Sequence, residues 1–185
     1  MKYLKLFENF ENEDPKWIVT SVLDPIEVDE VPFDKEYGDT SMFRLFDLSE
    51  EPSEDKINHL KSWLEEEGYY SKIKNNKVIV TEKPLKEACI DWLNKNYSGM
   101  EVVESKDYPG NVLYRYVPKE NILFHDTENR KVWVRYDLIW LFFKDYFGLY
   151  YQEIRDITEE WLSEAYNLKG ITKLDYHSML TFLVE

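Results

Sequence analysis

The feature that most constrains this chain is a regular punctuation of glycine, proline and paired asparagine between Met42 and Val117. Glycine and asparagine tolerate positive φ, and proline fixes φ while removing a donor, so each marks the end of an element. Met42–Leu48 (MFRLFDL) reads as a strand. Ser53 caps a helix running to about Glu67, with Ile57, Leu60 and Leu64 at helical spacing, Trp63 adjoining and Gly68 beyond its end. Tyr69–Lys74 and Lys77–Thr81 flank Asn75-Asn76, a hairpin signal. Pro84 suits the first turn of a second helix, whose inner face is Leu85, Ala88, Cys89, Trp92 and Leu93 and which Gly99 follows. Met100–Glu104 and Val112–Val117 read as further strands. The order β-α-β-β-α-β is that of a ferredoxin-like split βαβ sandwich, an arrangement that serves many functions and specifies none.

The flanks read differently. Residues 1–41 look like an extended acidic arm, because Pro15, Pro25 and Pro32 interrupt short apolar pieces such as Trp17-Ile18-Val19 and Val28 to Val31. Such an arm is expected to lie on a neighbouring surface. Residues 118–185 begin with a hairpin, Ile122–His125 and Val132–Arg135 around a polar turn. Helices follow over Leu138–Phe147 and about Tyr150–Leu168, and a short third helix is expected over Leu174–Leu183. The expected fold class is therefore α+β: an N-terminal arm (1–41), a ferredoxin-like unit (42–117) and a hairpin-plus-helices unit (118–185). A chain of 185 residues with 43% apolar and 32% charged residues is globular, with enough length for a core.

Several function classes are disfavoured by charge. The net charge is −14, and residues 1–50 alone carry 5 basic and 13 acidic groups, net −8. A field of that sign repels phosphate backbones, so direct nucleic-acid binding is not expected. The 118–185 unit has the outline of a winged helix, but its long helix carries Glu153, Asp156, Glu159, Glu160 and Glu164 against Arg155, the wrong sign for a recognition helix. The ordinary meaning of the acidity is a solubilising surface; the sharper one is a charge mimic of DNA that blocks a nucleic-acid enzyme. The longest apolar run, Leu138–Phe143, is six residues, too short to cross a membrane, and the N-terminus lacks the apolar run of a secretory signal.

No catalytic, cofactor or metal residues are assigned. The three histidines, His59, His125 and His177, have no second ligand at metal spacing. The single cysteine, Cys89, falls on the apolar face of its helix and reads as a buried, inert thiol. The six glycines are too scattered to form a phosphate-cradling loop. With 37 acidic residues, adjacent carboxylates such as Glu159-Glu160 carry no hydrolase signal. An enzyme with a composite site, invisible as a linear motif, stays open as an alternative.

Contact surface is what remains. Trp133, Tyr136, Trp140, Tyr146, Tyr150 and Tyr151 lie in the densest aromatic stretch, and helical periodicity can bury only about half of such a run. The remaining rings are candidates for a protein partner. At the N-terminus, Tyr3, Leu6, Phe7 and Phe10 fall at helical spacing and form a second candidate face, for a groove on a partner or for this protein's own core.

The leader MKYLKLFENF, Met1–Phe10, resembles short N-terminal segments that recur on otherwise unrelated proteins of large tailed phages. Leu6-Phe7-Glu8 also resembles the Leu-x-Glu site cut by T4-type prohead proteases, and the stretch from Trp133 to Gly170 is similar to uncharacterised phage-type proteins. The resemblance implies a phage-encoded structural or interaction protein, located in the host cytoplasm or the virion, whose partners are itself or phage structural proteins. The first alternative is an acidic inhibitor of a host defence or nucleic-acid enzyme.

Overall fold

The computed structural model describes the backbone of residues 13–97, 103–104, 123–126, 131–166, 171–176 and 179–184, and the side chains of residues 13–97 and 139–165. The fold is α+β. Described residues 13–32 and 43–85 form one compact unit; residues 33–42 form another with the described residues from Lys86 onward. This division differs from the expected boundaries at residues 41 and 117.

The first unit runs α1 (Pro15–Leu23), β1 (Val28–Val31), β2 (Arg44–Leu48), α2 (Glu54–Glu66), β3 (Tyr70–Lys74) and β4 (Lys77–Thr81). Its antiparallel sheet has the order β1-β2-β4-β3. The split βαβ motif is present: β2 and β3 flank β4, with α2 as the crossover. The fourth position differs from expectation. It is filled by β1, from the presumed arm, and Val103–Glu104 pairs in the other sheet instead. With α1 preceding β1, the unit reads α-β-β-α-β-β, a circular permutation of the expected order.

The arm is thus not extended throughout. Pro15 stands at the first position of α1, where its missing amide donor would go unused. Asp14 caps the helix by accepting from the Lys16 N–H at 2.8 Å. Ile18, Val19 and Leu23 of α1 share a core with Leu60 and Leu64 of α2, and with Phe46, Leu48, Val78 and Val80 of the sheet. Leu45 and Ile79, paired in register on the opposite face of β2 and β4, are buried as well.

The local punctuation works as the sequence suggests. Ser53 accepts from the Lys56 N–H at the start of α2. Gly68 ends that helix at φ 84° and Asn75 turns the β3–β4 hairpin at φ 52°, both in the left-handed region. Lys77 and Asp47, directly opposite across β4 and β2, form an ion pair at 2.6 Å.

The second unit contains a short 3-10 turn (Lys35–Tyr37), α3 (Leu85–Tyr97), β5 (Val103–Glu104), β6 (Leu123–Asp126), β7 (Lys131–Arg135), α4 (Tyr136–Asp145), α5 (Tyr151–Tyr166), β8 (Ile171–Tyr176) and β9 (Met179–Val184). The sheet order is β5-β6-β7-β9-β8, with β5 parallel to β6 and the other pairs antiparallel. The expected helix over Leu174–Leu183 is instead the β8–β9 hairpin. β9 is paired on both sides, so sheet hydrogen bonding overrides the helical pattern. The expected strand Val112–Val117 lies outside the described residues.

Aromatic side chains build the core of this unit. Trp92 of α3 stacks on Phe142 of α4 with centroids 4.4 Å apart, and meets Phe143 edge-on at 5.3 Å. Phe33 and Tyr37 close the same cluster against Phe142 and Tyr146. Lys86 of α3 and Glu160 of α5 form an ion pair.

Candidate interaction surface

Spacing alone sorts the rings of α4. Ile139, Phe142 and Phe143 recur at three and four residues and are fully buried. Trp140 and Leu141 then fall toward the outside: Trp140 is half-buried, and Leu141 is 45% exposed. Gly148 ends the helix at φ 61°, and the chain turns directly into α5.

Tyr150 stands on that turn with 79% of its surface exposed. Its backbone is nevertheless fixed. The preceding Leu149 is buried, and its N–H donates to the Phe143 carbonyl at 3.2 Å. The Tyr150 N–H donates to the Glu153 carboxylate at 2.7 Å, the reciprocal half of a capping box. Its carbonyl accepts the Ile154 N–H at 3.1 Å. Beside it, Tyr151 is half-buried with its ring 6.1 Å from Trp140, and Lys144 lies over the other ring system at 5.4 Å from the Trp140 centroid. Trp140 and Tyr151 are thus brought together at the α4–α5 connection, with the exposed Tyr150 adjoining in the chain and the exposed Leu141 on α4; these residues are the aromatic rim of that connection.

The other sequence candidates fall elsewhere. Tyr146 is half-buried against Phe33 and Tyr37, and its hydroxyl donates to Asp34 at 2.8 Å. Burial pushes the Tyr146 and Tyr37 hydroxyls up to about 12, with help from the hydrogen bond to Asp34 in the first and from neighbouring Glu36 in the second. Trp133 lies in β7 and Tyr136 opens α4; their side chains, and Tyr3, Leu6, Phe7 and Phe10, are outside the described residues.

A surface that the sequence did not single out lies on the first unit. Trp17 of α1 is 51% exposed and meets Trp63 of α2 edge-on at 5.3 Å. Its signal was present in the sequence: Asp14-Pro15 is a helix start, and apolar positions 15, 18, 19 and 23 then set Trp17 outward.

Among the described residues, catalytic groups do not gather on either surface. Cys89 is fully buried, and burial pushes its thiol up. His59 is exposed, beside Trp63. Among the described residues no group of three histidine, cysteine, aspartate or glutamate side chains is placed to hold a metal ion. Also among the described residues, no helix is long and apolar enough to cross a membrane. Comparison with protein-family models, with curated proteins and with solved structures finds no match to this chain.

Proposed function

We propose that this chain is a non-enzymatic accessory protein that binds another protein through the aromatic rim of the α4–α5 connection. The observation that supports this reading is Tyr150, a residue 79% exposed on a backbone held by its own N–H and carbonyl. An aromatic side chain offers large contact area with only two side-chain torsions to order, and a fixed backbone lowers the entropy cost of docking further. Leu141, 45% exposed, adds apolar area beside Trp140. The net charge of −14 favours a protein partner over a nucleic acid. The leader's resemblance to phage segments supports a phage setting, with the partner a virion protein or a second copy, in the host cytoplasm or the virion.

The test compares the full-length chain with the Leu141→Ser/Tyr150→Ser double variant as baits in cells that naturally contain the protein. A partner retained by the first and lost by the second, with α-helical content unchanged, supports the rim. Equal recovery of every partner removes it.

A further inference from the structure

We infer that the sheet of the first unit continues from one copy of this chain into the next, with β3 of one copy pairing head to tail with β1 of its neighbour. The order β1-β2-β4-β3 leaves β1 and β3 as the outer strands, and among the described residues no strand pairs with their free sides. A free strand edge carries a row of unused N–H and C=O groups and is a template for another strand. The two edges here differ in sign. β1 carries Asp29 and Glu30, whereas β3 carries Lys72 and Lys74.

The register joins these charges into one row. Asp29 lies opposite Asp47, Asp47 opposite Lys77, and Lys77 opposite Lys74, so the row across the sheet reads Asp, Asp, Lys, Lys. The 2.6 Å ion pair between Lys77 and Asp47 closes its centre. Its ends, Asp29 and Lys74, are exposed. Each stands opposite a like charge within the sheet and has no ion-pair partner among the described residues. A second copy set antiparallel against β3 supplies the missing neighbour: its Asp29 falls opposite Lys74, at the roughly 4.5–5.5 Å spacing of cross-strand Cβ atoms.

Backbone geometry allows the same register. The Ser49 N–H donates to the Glu27 carbonyl at 3.0 Å, and the Leu48 N–H to the Asn76 carbonyl at 2.8 Å. By strand alternation, Val28 and Glu30 of β1 and Ser71 and Ile73 of β3 turn their N–H and C=O groups outward. With Asp29 opposite Lys74, Glu30 falls opposite Ile73, and these two exchange hydrogen bonds. Pairing of like edges does not fit. Centred on β1 it sets Asp29 or Glu30 against itself, and full overlap of β3 sets Lys72 against itself. Edge charges of one sign would block every self-pairing; opposite signs block like edges and leave unlike ones open. A head-to-tail dimer still has one free edge of each sign, so growth continues to a filament or a ring. Each contact is small against the about 1,000 Å² of a stable interface, so assembly needs a high local concentration. This inference stands apart from the α4–α5 rim.

The test is sedimentation velocity on the full-length chain, from micromolar to about 1 mM protein. The native chain is expected to form species larger than a dimer as the concentration rises. Asp29→Lys and Lys74→Asp each set like charges opposite at the junction, and each is expected to weaken association about tenfold. Within the sheet each sets unlike charges opposite, against Asp47 and against Lys77, so neither is expected to unfold the protein. Mixing the two variants in equal amounts, or joining both substitutions in one chain, is expected to restore assembly. A native chain that stays monomeric throughout overturns the inference, and so does a mixture that associates no better than its components. Assembly that stops at a dimer, and that only one of the two substitutions weakens, assigns the contact to like edges and overturns it. In Leu141→Ser/Tyr150→Ser the assembly is expected to persist; its loss there assigns it to the rim and overturns the edge pairing.

Discussion

Arg44 grips Glu30 at two points, its Nε donating to Oε1 at 2.7 Å and its Nη2 to Oε2 at 2.9 Å. The third arm of the guanidinium, Nη1, donates to Asp14 at 2.7 Å. One side chain of β2 thus ties the edge strand β1 to the residue that caps α1. These are the two elements that complete the permuted sandwich, and β1 has only four residues of its own to hold it. The arrangement uses the planar fork of arginine, which lysine lacks.

Replacing Arg44 by lysine should therefore not restore what replacing it by methionine removes. Both variants are expected to lose about 1 kcal/mol of stability, a modest figure because all three side chains are partly exposed. Urea denaturation followed by circular dichroism measures this without adding salt, which would screen the pairs. Full stability in Arg44→Lys would show that charge alone, without the fork, holds β1.

The same trio sets an acid limit. Asp14 is held below the usual carboxylate range by the Lys16 backbone N–H and then by Arg44, and Glu30 is held down by its hydrogen bonds from Arg44. A lowered carboxylate contributes stability above its unfolded value and loses it as pH falls through the folded value. Stability should fall below about pH 4, and fall less steeply in Arg44→Met, where Glu30 has lost its partner. Urea midpoints collected from pH 7 to pH 2.5 give both slopes; parallel curves would remove Arg44 from the acid response.

Turn chemistry was the most legible part of the fold. Ser53, Gly68 and Asn75 each act where their conformational preferences place them, because those preferences are local. The errors were about partners. Pro15 looks like a breaker until its position at the start of α1 is known. Leu174–Leu183 satisfies a helical pattern, but its first residues belong to β8 and its last to β9, which β7 and β8 pair from either side. Which strand fills the fourth place in the first sheet is not written locally, since Val28–Val31 and Met100–Glu104 are both adequate strands. The surface followed the same rule. Leu141 can be read outward from its phase against Phe142 and Phe143, whereas the burial of Tyr146 depends on Phe33 and Asp34, more than a hundred residues away.

Gly38 carries a backbone requirement and a spatial one together. Its φ is +67°, and a Cβ there would overlap the Asn96 side-chain oxygen. That oxygen cannot simply swing aside. It accepts the Asp39 N–H at 2.7 Å, while the amide nitrogen of Asn96 donates to the carbonyls of Asp39 and Trp92. Gly38→Ala is expected to cost about 1–3 kcal/mol in urea denaturation, from positive φ and the lost clamp combined. Making the same change in Asn96→Ala removes the collision and should cost less than in the native background. Equal costs in both backgrounds would place the whole effect in the backbone.

Tyr37 and Tyr146 set an alkaline limit of opposite sign. Both hydroxyls are pushed up to about 12 from an ordinary value of 10.0, so the folded protein prefers them neutral. A raised group contributes stability below its unfolded value and loses it as pH rises through the folded one. The loss should therefore fall between about pH 10 and pH 12, where ionisation would set a phenolate against Asp34 and against the packed rings of Phe33 and Phe142. Tyr146→Phe removes one of the two ionisations together with the donor to Asp34. At pH 8 it should lose about 1 kcal/mol, the worth of one partly exposed hydrogen bond to a charged acceptor. Its stability should then decline more shallowly than the native protein's as the pH rises. Urea midpoints at half-unit steps from pH 8 to pH 11.5 test this. A native decline that Tyr146→Phe leaves equally steep would assign the alkaline limit to other groups, with Tyr37→Phe the next variant to measure.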